Sequence, residues 1–148
     1  MTDVINTVLG DRAEAVRGIR QSRPAVTAHT QGAYDALLNG PAAAAVGRER
    51  LVAAAAVAAE LAGAPTLAAH YAAQGSAPDP GDPVLAAILR HTALLTREPA
   101  SAGRADIEAL AVAGLSDRDI VTLAQLIGYV HFQARLLAGL TLIGAEHE

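Results

Sequence analysis

The chain contains no cysteine and no lysine, and each absence removes a class of chemistry. Without cysteine there is no thiolate nucleophile, no disulfide and no thiol metal ligand. Without lysine there is no Schiff-base catalysis. All 11 basic residues are arginine. Catalysis is left to His, Asp, Glu, Tyr, Ser, Thr and Arg. Aromatics are scarce too, at 3% of residues against 52% hydrophobic, so the core has to be built from Ala, Leu, Val and Ile. Small side chains bury little area, and apolar burial is worth roughly 25 cal/mol per Å². Association is therefore expected to supply part of the stability, as a homo-oligomer. A basic stripe with interleaved aromatics is also missing: the net charge is −4 with a pI near 5.7, so no nucleic-acid partner is expected.

Long charge-free apolar runs are lacking as well. Leu51–Ala59 is nine residues, well under the roughly 20 that span a bilayer. The longer C-terminal apolar segment is interrupted by Asp119, Gln125, His131 and Arg135. The first ten residues, MTDVINTVLG, carry an acid and no basic run, which is not the pattern of a signal peptide. A soluble cytoplasmic protein with no membrane partner is the expectation. Arginine in place of lysine with abundant alanine is the composition of a high-GC bacterial source.

What is present reads as helices in one domain over 1–148, with N-terminal helices in 1–47 and core helices in 48–148. A short helix runs from Asp3 to Leu9. Asp11 caps a second over Arg12–Ser22 with Glu14 as its capping-box acid. Ala25–Leu38 is helical, with Val26, His29, Ala33, Ala36 and Leu37 near one face. Asn39-Gly40-Pro41 is a stop, followed by an Ala-rich connector over 41–47. The central stretch, RERLVAAAAVAAELAGAPTLAAH from Arg48 to His70, is too rich in alanine for a strand. It predicts two helices meeting at Gly63-Ala64-Pro65, with Pro65 in the first turn of the second. After the loop Gln74–Pro83, Asp82 caps a helix over Pro83–Thr96. Asp106–Ala113 follows, ended by Gly114. Ser116 and Asp119 form a capping box for a long helix to about Ile143. Sustained period-two alternation is absent, so the fold class is all-α.

Two of these segments resemble the AhpD-like, or carboxymuconolactone-decarboxylase-like, family. Arg48, Glu49 and Arg50 match the charged lead of its peroxidase branch, and His70 matches the histidine of its C-x-x-C-x-x-x-H motif. Leu51 falls where that branch has its proton-relay Glu, and Gly63 and Thr66 where it has its two cysteines. ALAVAGLSDRDIVTLAQLIGYVHFQARLLAGL resembles the family's C-terminal segment, through Gly114-Leu115-Ser116 and the Gln125, Tyr129 and Arg135 pattern. The resemblance covers roughly 25–143. It implies an AhpD-like helical bundle, oligomeric as a dimer, trimer or hexamer, without the thiol peroxidase activity that needs the C-x-x-C pair. It also implies acid/base chemistry on a small carboxylate or lactone in a pocket near His70, as in the family's decarboxylases, with no cofactor. The alternative is a non-catalytic oligomeric scaffold or accessory subunit that keeps the fold alone.

Candidate residues follow from what can titrate or bind an anion. His70 is the first, because a neutral imidazole serves as base or acid near pH 7; its other reading is a buried, hydrogen-bonded histidine. Glu60, if it faces the core, is the second catalytic candidate; otherwise it is solvated or pairs with Arg48 or Arg50. His131 and Arg135 are one helical turn apart and reach one pocket edge, to bind a small-molecule carboxylate or carbonyl or to lock a subunit interface. Gln125 and Tyr129, also four apart, carry the same two readings. No metal site is expected, since His29, His70, His91, His131 and His147 show no H-x-x-x-H or H-E-x-x-H spacing. Glu146-His147-Glu148 reads as a frayed tail.

Overall fold

The computed structural model describes residues 3–146, and no strand occurs among them. The helices are α1 (Val4–Leu9), α2 (Arg17–Gln21), α3 (Pro24–Asn39), α4 (Pro41–Val46), α5 (Arg48–Leu61), α6 (Pro65–Ala72), α7 (Pro83–Arg97), α8 (Arg104–Ala113) and α9 (Asp117–Ala145). His147 and Glu148, two positions of the expected tail, lie outside the described residues.

The bundle is built around α5. It packs against α6, α7 and α9, and Leu51, Ala54, Ala55, Ala58 and Ala59 are completely buried. Alanine lets these helices approach closely, and the area is recovered from the leucines of α9, of which Leu123 and Leu126 are fully enclosed. Ala54, Ala55, Ala58 and Ala59 thus serve the chain's own core. The α5–α6 junction follows from Gly63 and Pro65. Gly63 takes φ 75°, its N–H bonds the Glu60 carbonyl, and the Ala64 N–H bonds the Ala59 carbonyl. This double bond with a left-handed residue is a Schellman ending, which favours glycine. Pro65 then opens α6, where a missing N–H costs nothing.

Several local expectations are corrected. Arg12–Ser22 is not one helix: a 3-10 turn over Gly10–Ala13 precedes α2, and Glu14 pairs with Arg17 instead of capping. The segment is polar on almost every side, so it has no apolar stripe to bury; Val16 alone drops fully into the core. The supposed connector at 41–47 holds α4, started by Pro41 and ended by Gly47 at φ 105°; four consecutive alanines favour helix over loop. In α3 the inner face is Thr30, Tyr34 and Leu38, while Val26 and His29 are exposed. Hydrophobicity alone misplaced that face, because the Tyr34 hydroxyl finds partners inside and the Thr30 hydroxyl is satisfied by the Val26 carbonyl of its own helix at 2.8 Å. Finally, α8 starts at Arg104, with Asp106 accepting from the Gly103 N–H at 2.8 Å.

The start of α9 is as expected. Ser116 Oγ accepts from the Asp119 N–H at 3.2 Å, and the Asp119 carboxylate accepts from the Ser116 N–H at 2.9 Å. Ser116→Ala is expected to cost about 1 kcal/mol, within the usual 0.5–2 for a lost N-cap, read from urea unfolding. By length and composition, α9 is long and apolar enough to cross a membrane. Its inner face is packed in the core, and less than half of its most apolar stretch is buried.

Candidate functional site

His70 sits near the end of α6 and is half-buried. Its Nε2 lies 3.1 Å from the Tyr34 hydroxyl and 2.9 Å from Gln74 Nε2. Gln74 returns to His70 because it stands four residues on, just past the end of α6. Arg48 settles which way the Gln74 amide points: its Nη2 donates to Gln74 Oε1 at 3.0 Å and its Nη1 to the Gln74 carbonyl at 3.3 Å. The amide NH2 is therefore the group left to face inward, donating to the Tyr34 oxygen at 2.7 Å and toward the ring. Gln74 thus presents a donor to Nε2, so that nitrogen accepts and the ring carries its proton on Nδ1. Burial lowers the pKa of His70 in the same direction. Burial also raises the Tyr34 pKa, against the opposing pull of Gln74 and Arg48. In this state Nε2 is a satisfied acceptor and not a free base.

A second polar chain runs behind it, inside the core. The Tyr71 hydroxyl donates to Gln133 Oε1, Gln133 Nε2 donates to the Tyr129 oxygen at 3.3 Å, and Tyr129 donates to the Thr30 carbonyl at 2.8 Å. Tyr71 and Gln133 are completely buried. Burial drives the pKa of both Tyr71 and Tyr129 well up, so both remain neutral donors. The Tyr34 ring packs 6.1 Å from those of both His70 and Tyr71, joining the two networks.

The other expected residues separate into two groups. His131 and Arg135 do share a cavity, of about 250 Å³, with Leu61, Ala62, Thr96, Ala134 and Ala138. His131 is half-buried with Nε2 2.9 Å from Thr96 Oγ1, and burial, then the nearby Arg135 charge, lowers its pKa. Arg135 is exposed, and among the described residues it forms no ion pair. Glu60 does not face the core. It is exposed on the last turn of α5, and its alternative partners are taken: Arg50 pairs with Asp82 at 2.7 Å, Arg48 with Gln74. Gln125 points outward from α9, whereas Tyr129, its partner in the sequence reading, is tied to the buried chain.

A larger cleft, about 480 Å³, lies on the other side of Ala134 and Ala138, bounded by Gly63–Leu67, Leu137 and Thr141, with Arg12 at its rim. The positions matched to the family's cysteines thus open onto a cleft, but Gly63 has the left-handed backbone that residues with a Cβ rarely take. Leu51, at the matched relay position, is fully buried. No cluster of three His, Asp or Glu side chains able to hold a metal occurs among the described residues.

The sequence reading missed Tyr34, Gln74 and Thr96. Gln74 had a local signal, the four-residue step from His70. Tyr34 and Thr96 come from distant helices and had none. Compared with protein-family models, curated proteins and solved structures, the chain matches none.

Proposed function

We propose that this chain is a cysteine-free AhpD-like, carboxymuconolactone-decarboxylase-like protein that binds a small carboxylate or lactone at His131 and Arg135. The observation that carries this reading is the shared 250 Å³ cavity. It holds a cation without an ion pair among the described residues and, one helical turn away, an imidazole whose lowered pKa keeps it neutral at pH 7. The volume suits a ligand of a few heavy atoms, below the usual drug-sized range of about 300–1,000 Å³. Arg135 would hold the carboxylate or carbonyl oxygen as a forked donor. His131, oriented by Thr96, would exchange a proton with the bound molecule. The acid/base role expected of His70 moves to His131, because Tyr34 and Gln74 occupy His70 Nε2.

A thermal-shift screen of small mono- and dicarboxylates and lactones tests it. A ligand at about 100 times its Kd adds about 2.7 kcal/mol, which raises Tm by several degrees for a chain of this size. Arg135→Gln is expected to abolish the shift, His131→Gln to reduce it, and His70→Ala to leave it intact. A shift lost in His70→Ala and retained in Arg135→Gln would return the site to α6.

The second reading, a homo-oligomeric scaffold or accessory subunit without catalysis, is favoured by the apolar side chains on the outer face of α9. Val121, Phe132 and Leu142 are 55%, 43% and 71% exposed there. A binding cavity and an oligomer surface can coexist on α9, with Arg135 standing where the two meet.

A further inference from the structure

The outer face of α9 is open along its full length. At 3.6 residues per turn, Val121, Gln125, Gly128, Phe132, Arg135 and Gly139 lie on one strip, and all are exposed. Leu142 continues it. The steps alternate four and three, the spacing of a coiled-coil seam. Two features of this strip stand out among the described residues. Glycine weakens a helix interior, and apart from the helix's own backbone no described atom lies within 4 Å of where a Cβ on Gly128 or Gly139 would sit. No internal close approach therefore explains either glycine. The chain's one phenylalanine, Phe132, is spent on the same exposed strip.

We propose that the strip receives α9 of a second copy, running antiparallel across a twofold axis level with Val130. This deepens the homo-oligomer reading by naming its face. In that register Phe132 lies over Gly128 of the partner subunit, and Val121 over Gly139 of the partner subunit. Symmetry repeats each contact, so both glycines receive a large apolar side chain. Gln125 stands opposite Arg135 of the partner subunit, whose five N–H donors can serve an amide oxygen and a ligand together. Charge selects this direction. A parallel pair would stack Arg118 on Arg118, Arg135 on Arg135 and Glu146 on Glu146, like on like. The same mixture of signs argues against a lipid interior as the occupant.

Light scattering and sedimentation equilibrium of the full chain test the face. The wild type is expected to be dimeric, and Gly128→Leu to weaken association by about 30-fold or more, as at an interface hot spot. A Cβ at 128 has no described atom within 4 Å apart from the helix's own backbone, and leucine is the better helix former, so unchanged circular dichroism of the variant is the expected control against loss of folding. Because the chain has no native cysteine, register can be read by disulfide trapping. A mixture of Val121→Cys and Gly139→Cys is expected to cross-link, and neither variant alone. Self-cross-linking of each would overturn the antiparallel arrangement. An oligomer indifferent to Gly128→Leu and Phe132→Asp would overturn the face while sparing the oligomer reading. A monomeric wild type would overturn both. Vesicle binding by a monomer, lost in Phe132→Asp, would assign the strip to a membrane and overturn the dimer.

Discussion

Gln133→Leu is expected to lower the unfolding free energy by about 1–3 kcal/mol although it puts a more hydrophobic side chain into the core. The loss comes from the partner: the Tyr71 hydroxyl donates to Gln133 Oε1 where both side chains are completely buried, so removing the amide strands a donor away from water. Tyr71→Phe should cost a similar amount by stranding the amide oxygen. The double variant is the informative one, because removing both partners leaves no unsatisfied pair. Its destabilisation is expected to fall clearly below the sum of the singles. Strict additivity in urea unfolding would mean that the Tyr71–Gln133 bond does not hold α6 to α9.

The second large effect is on pH dependence. Burial lowers the pKa of His70, His91 and His131 from the ordinary value of 6.5. A histidine with a depressed folded pKa binds more protons unfolded than folded. Its stabilisation is therefore present above pH 6.5 and is lost as pH falls through the folded pKa. The protein should become easier to unfold between pH 7 and pH 5. Each histidine contributes at most about 1.4 kcal/mol per pH unit, and less for half-buried rings that solvent screens. Gln74→Glu should reverse the His70 share. The carboxylate would keep the Arg48 contact and replace the Gln74 donor at Nε2 with an acceptor for a ring proton, raising the His70 pKa above its ordinary value. Ring proton chemical shifts followed across pH 5 to 8 would check this. An unchanged His70 titration in Gln74→Glu would remove the donor role assigned to Gln74.

These outcomes separate the two histidines. His70 is met at Nε2 by Tyr34 of α3 and by a Gln74 amide that Arg48 of α5 orients, so its conservative variants should report mainly on stability. His131 is held at one nitrogen by a single hydroxyl and borders a cavity, so its variants should report on ligand binding. Stability and binding measured on the same pair of substitutions therefore decide which imidazole carries the chemistry.

Much of the fold was legible where a local rule acts alone. Gly63 and Pro65 marked a helix end and a helix start, Ser116 and Asp119 marked the head of α9, and alanine content excluded strands. Reading failed where side-chain partners decide. Tyr34 turned the inner face of α3 away from the one that hydrophobicity indicated, because its hydroxyl meets His70 and Gln74 inside, while Tyr129 donates to the backbone carbonyl of Thr30. Glu60 had two readings in the sequence and became exposed once Arg48 and Arg50 had found other partners.

The sequence alone settled the available chemistry, the all-α class and the main helices, though not α2 or α4, since absent thiols and amines, helix propensity and caps are properties of single residues and their near neighbours. Which imidazole is satisfied and which borders a cavity was decided only when α3, α5 and α6, and α7 and α9, were brought together. Hydrogen-bond satisfaction depends on atoms about 3 Å apart in space, and Tyr34 and His70, or Thr96 and His131, are 36 and 35 residues apart in the chain.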